Sequence, residues 1–171
     1  MSKNLNNVMF RGRYTVKCFG PDGKLKWSDE IENLVVNEGL DHILDSTLAG
    51  GSQVTTWYVG LLAASPTPLA TWTKTEVGAN DFVDYDEATL VTWTPDAVSG
   101  QSVDNSTTPA DFSINQDSSS VGGAYLASTN TKAVEGGAAV IFSAGAFTGG
   151  NKAVDNGDTL QVTMTFSNSS S

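Results

Sequence analysis

A mostly β fold, read as a two-sheet β-sandwich of jelly-roll-like arrangement with one short α-helix near the N-terminus, is predicted by three observations. Apolar and polar residues alternate in several runs, most strictly where Leu160, Val162, Met164 and Phe166 interleave with Thr159, Gln161, Thr163 and Thr165. Turn-forming residues separate these runs, with 17 glycines among 171 residues and many Ser, Thr and Asn. Only one stretch carries apolar residues at helical spacing. A chain of this length suits one domain that buries roughly two-thirds of its unfolded surface.

Taken in order, Arg13 to Phe19 alternates with Tyr14, Val16 and Cys18 on one face. Pro21-Asp22-Gly23 then turns the chain into Lys24 to Trp27, which predicts a hairpin. Glu32 to Val36 is extended and ends at Asn37, whose side chain is expected to cap a helix carrying Leu40, Ile43, Leu44 and Leu48 and ending at Gly50-Gly51. Thr55 to Ala63 has apolar residues on both faces (Trp57, Val59 and Leu61 against Tyr58 and Leu62), the pattern of a central strand covered on both sides. Ser65 to Lys74, with Pro66 and Pro68, reads as a loop exposing Trp72. Leu90 to Thr94 is strand-like, and Asp96 to Pro109 reads as a polar excursion. Ala110 to Ile114, Ala124 to Ser128, Ala138 to Ser143 and Thr159 to Phe166 complete a set of about eight strands. The domain expectation is a basic N-terminal arm over 1–13, a sandwich over 14–166 and a disordered tail over 167–171.

Charge narrows the functions. The formal net charge of -10 argues against nucleic acid as a partner, because that affinity depends on Lys and Arg displacing counterions from phosphates. The first 26 residues run the other way, with Lys3, Arg11, Arg13, Lys17, Lys24 and Lys26 against the single acid Asp22. Arg11, Arg13 and Lys17, together with Trp72, are therefore the candidate partner-binding residues. Neither a membrane span nor a signal peptide is expected, and the lone Cys18 suits a reducing cytoplasm.

Catalytic motifs are not found. The only histidine, His42, falls in the expected helix without a nucleophile motif beside it and reads as structural. No zinc, Walker or dinucleotide pattern occurs, so no enzyme activity, cofactor or metal is expected. Asp81 to Glu87 offers several carboxylates of the kind calcium prefers but departs from the EF-hand pattern, and reads as a solvated acidic loop.

Three segments resemble uncharacterised structural proteins of tailed bacteriophages: Glu32 to Leu40 (ENLVVNEGL) leading into Ile43-Leu44, Thr56 to Leu61 (TWYVGL), and Gly157 to Phe166 (GDTLQVTMTF). Ile141 to Phe147 (IFSAGAF) is similar to the strand and turn that often precede that closing strand. The resemblance covers both ends of the chain but not about Ser65 to Ser120, and it carries over no catalytic residue. It implies a virion component, made in the host cytoplasm and located on the capsid surface, resembling decoration or cementing proteins. The implied partners are the major capsid protein and further copies of the chain at a capsid symmetry axis. The rival expectation is a tail- or fibre-associated module that contacts host glycans, or another tail protein, through the loop around Trp72.

Overall fold

The computed structural model describes residues 8–64, 67–133 and 137–170. Lys3 and the rest of 1–7, together with Ser65, Pro66 and Ser171, lie outside them. The elements in chain order are β1 (Val8–Phe19), β2 (Leu25–Val35), α1 (Asn37–Leu44) continued by a π-helical turn (Asp45–Ala49), β3 (Trp57–Leu62), α2 (Lys74–Ala79), β4 (Asp81–Phe82) and β5 (Val91–Trp93). There follow β6 (Ser102–Asp104), β7 (Ala110–Ser113), β8 (Ser119–Val121), β9 (Gly123–Ala127), β10 (Ile141–Ala146), β11 (Lys152–Val154) and β12 (Thr159–Ser170). The fold is thus mostly β, with one large antiparallel sheet of order β4-β3-β9-β10-β2-β1-β12-β6, β5 and β7 flanking it, and a small β8-β11 sheet.

The large sheet has two halves because β2 changes partner along its length. Residues Leu25 to Asn33 pair with β1, whereas Leu34 and Val35 pair with β10. The inward residues of both halves meet in one cluster that includes Tyr14, Val16, Val162 and Met164 from one half and Val59, Leu61, Leu126 and Phe142 from the other. Phe142 sits at a β-bulge in β10, where the extra residue turns its ring inward. It lies 5.7 Å from Phe10, 5.3 Å from Trp57 and 5.1 Å from Phe166, all edge-on. The arrangement is sandwich-like.

A second cluster covers the opposite face of β3, β9 and β10, where Leu62, Tyr125, Ala127 and Ile141 meet Trp72, Val77, Leu90 and Val36. This explains the apolar residues on both faces of β3. The β1–β2 hairpin and the alternation of β12 follow the sequence reading, and Gly23 takes the left-handed conformation its turn requires (φ 74°).

Several expectations are corrected. Asn37 does not cap α1: it is the first helical residue, Val36 holds the cap position, and no side chain caps the helix. The chain is held there by the Asn37 N–H, which donates to the Ala70 carbonyl at 2.8 Å, and by the Glu38 carboxylate, which accepts from the Ile141 N–H at 3.0 Å. The helix docks on β10 through Gly39 and leaves Leu40, Leu44 and Leu48 exposed. Trp72 is buried, 7% exposed, because the stretch read as a loop runs into α2, begun by a capping box between Thr73 and Glu76. The arm and tail boundaries also move: residues 8–13 and 167–170 are strand, and the β1–β12 ladder runs from Val8 opposite Ser170 to Phe19 opposite Thr159. The polar excursion contains β6, which pairs with β12.

A candidate docking face on the outer sheet

Strand parity builds this face. Along β1, Gly12, Tyr14, Val16 and Cys18 are buried, so Arg11, Arg13 and Lys17 must point outward, and all three are exposed. At about 3.4 Å per residue they form a row about 20 Å long on a strand held by neighbours on both sides. On the β12 side, Arg11 stands opposite Ser167, Arg13 opposite Thr165 and Lys17 opposite Gln161. On the β2 side, Arg13 faces Glu32 and Lys17 faces Ser28.

At the Arg11 end the face is indented by a cleft of about 580 Å³ lined by Arg11, Gly12, Arg13, Glu32, Thr165 and Ser167. At Gly12 the missing side chain makes room for the Asn33 amide, which a Cβ would displace. Two guanidinium forks beside two hydroxyls suit a carboxylate-bearing partner, since each fork can donate two parallel hydrogen bonds.

These cations are little neutralised. Arg13 approaches Glu30 at 3.9 Å with both side chains more than half exposed, a geometry worth at most about 1 kcal/mol. Among the described residues, Arg11 and Lys17 enter no ion pair; the Arg11 guanidinium donates only to the Met9 sulfur, at 3.8 Å. Of the other described cations of the basic segment, Lys24 pairs with Asp22 at 2.8 Å and Lys26 with Asp155 and Asp158 at 3.1 and 2.6 Å.

Trp72 does not join this face. Its ring packs in the second cluster against β3 and β9, so the surface expected around it is not presented. The acidic run is dispersed rather than convergent. Asp81 accepts from the Tyr125 hydroxyl (2.9 Å) and the Ala133 N–H (2.6 Å), Asp86 from Asn115 (3.1 Å), and Glu87 from the Ser113 hydroxyl (3.0 Å). Among the described residues, no three His, Cys, Asp or Glu side chains converge on a point where a metal could sit. His42 lies edge-on to Trp57, and its Nε2 accepts from the Val54 N–H at 3.4 Å.

A polar group that the sequence reading missed surrounds Asp81. Burial raises the Asp81 carboxyl above its ordinary value against the pull of its Ala133 and Tyr125 hydrogen bonds, and the Lys132 ammonium stands 3.8 Å over the Tyr85 ring. Lys74, at the start of α2, is buried, and desolvation lowers its pKa against the opposing attraction of Asp81. The capping-box pattern Thr73-x-x-Glu76 is the signal that marks this helix in the sequence. Comparisons with protein-family models, with curated proteins and with solved structures find no match to this chain.

Proposed function

We propose that this chain is a non-enzymatic structural protein of a phage particle that binds and stabilises the capsid surface, contacting the major capsid protein through the outer face of β1. The observation that carries the reading is the exposed Arg11–Arg13–Lys17 row, largely free of internal ion pairs and mounted on a strand paired on both sides. A cementing role needs a rigid, pre-formed patch that spans neighbouring subunits and needs no reactive group. Three exposed cations in one row on a chain of net charge -10 favour approach of this face to an acidic surface. Copies gathered at a capsid symmetry axis, and a jelly-roll-like route of the chain, belong to the same proposal.

The test is binding of the purified protein to capsids that lack it. Removing residues before Tyr14 would strip half of β1, so reversing charge is the cleaner change. The triple variant Arg11→Glu, Arg13→Glu, Lys17→Glu is expected to fold and to lose capsid binding, and binding of the unaltered chain is expected to weaken with salt. A folded triple variant that binds as well as the parent overturns the assignment of this face. Cryo-EM of the particle supplies the location: regular copies on the icosahedral shell support the proposal, whereas density on the tail transfers the chain to the tail- or fibre-associated reading.

A further inference from the structure

A second site lies beside α2, on a different part of the molecule. Lys74 is 2% exposed, and its ammonium has no hydrogen-bond partner among the described residues. A buried ammonium without a hydrogen-bond partner costs several kcal/mol of hydration, which the attraction of Asp81 and the Tyr125 ring 6.0 Å away offset only in part. Asp81, whose charge acts on Lys74, is already engaged through both oxygens by Tyr125 and Ala133. Lys74 also forms one wall of a cleft of about 400 Å³, whose other walls are Ser128, Thr129, Thr131 and residues 137–139.

Among its described residues this cleft offers donors and no acidic acceptor. The Ser128 oxygen accepts from the Val140 N–H at 2.8 Å, which leaves its hydroxyl proton to donate elsewhere. Thr129 donates to the Thr131 oxygen at 3.2 Å, which leaves the Thr131 hydroxyl proton uncommitted in the same way. Among the described residues, no carboxylate lines the cleft. A cation would meet Lys74 and find no anionic ligand, whereas an oxyanion would find one ammonium and two hydroxyl donors. The ammonium itself is buried, so binding requires the lysine side chain to turn Nζ toward the opening.

We infer that the cleft between Lys74 and the Ser128–Thr131 segment binds a small oxyanion, a carboxylate or a phosphoryl group. The anion supplies the acceptor that the buried ammonium lacks.

Two probes, inorganic phosphate and acetate, are titrated into the full chain at constant ionic strength with chloride as the control, and amide chemical shifts are followed by NMR. Saturable shifts at Ser128, Thr129 and Thr131 are expected with at least one probe, and which probe produces them identifies the group bound. Lys74→Met is expected to weaken that binding at least tenfold, with Lys74→Gln replacing it if the methionine variant does not fold. Thr131→Val is expected to weaken it by a smaller factor. No response to either probe, or a response unchanged in the folded lysine variant, overturns the inference.

Discussion

The Lys26 ammonium lies 2.6 Å from the Asp158 carboxylate, joining the start of β2 to the turn that launches β12. Asp158 is almost fully buried, and its bonded oxygen also accepts from the Asp155 N–H at 2.9 Å. The lysine pKa is raised, chiefly by its hydrogen bond to Asp158, so the contact contributes stability below the ordinary lysine value of 10.5 that is lost as pH rises through the higher folded value. Lys26→Met leaves a buried carboxylate without its cation. We expect a loss of about 2 kcal/mol, toward the lower end for a buried pair because Lys26 is partly exposed, read as a lower urea midpoint at unchanged slope.

Asp155 controls part of the acid limb. Its carboxyl is held below the ordinary 3.8, first by the Lys26 hydrogen bond and then by the Ser118 N–H. Such a group contributes stability that is present above that value and lost as pH falls through its lower folded pKa. Asp155→Asn is therefore expected to lower the urea midpoint at pH 5 and to narrow the gap between parent and variant as pH falls below about 3.

Gly39 sets the distance between α1 and β10. A Cβ at this position would stand 2.3 Å from the Phe142 carbonyl oxygen, and backbone on both sides leaves no flexible tip to move aside. Gly39→Ala is expected to cost about 1–3 kcal/mol despite its better helix propensity, measured by thermal or urea unfolding. Ala substitution at exposed Leu48 should change stability by less than about 0.5 kcal/mol.

Cys18 should be silent until the protein opens. Burial and then the neighbouring Asp158 charge push its thiol up to about 12, and the residue is fully buried. At pH 8 a thiol reagent is expected to label the folded chain only at the rate of opening, and in denaturing urea at the rate of an ordinary cysteine. Fast labelling of the folded protein would contradict this.

The strands legible in the sequence are those whose own burial pattern is strong. Tyr14, Val16 and Cys18 mark one face of β1, and the alternation of β12 from Thr159 to Phe166 matches its buried face residue for residue. Once β1 is recognised, parity alone places Arg11, Arg13 and Lys17 together. The elements β4, β8 and β11 span two or three residues and exist because a partner strand lies alongside, information no local pattern contains. The burial of Trp72 is not legible locally because it depends on packing against β9, some fifty residues further along. The Lys74 cleft is invisible in the sequence for the same reason: its second wall begins more than fifty residues further along.

The pairing of Val8–Phe19 with Thr159–Ser170 has a consequence for how the chain is made. About 140 residues separate these strands, so at roughly 5–20 residues per second β1 leaves the ribosome on the order of ten seconds before its partner exists. The hairpin with β2 shields one side of β1 in that interval, and the other remains a bare row of amides and carbonyls that can recruit a neighbouring nascent chain. Arg11, Arg13 and Lys17 lie along that same strand, where mutual repulsion between identical chains discourages such pairing. The charges that mark the finished surface thus also guard the polypeptide during its synthesis.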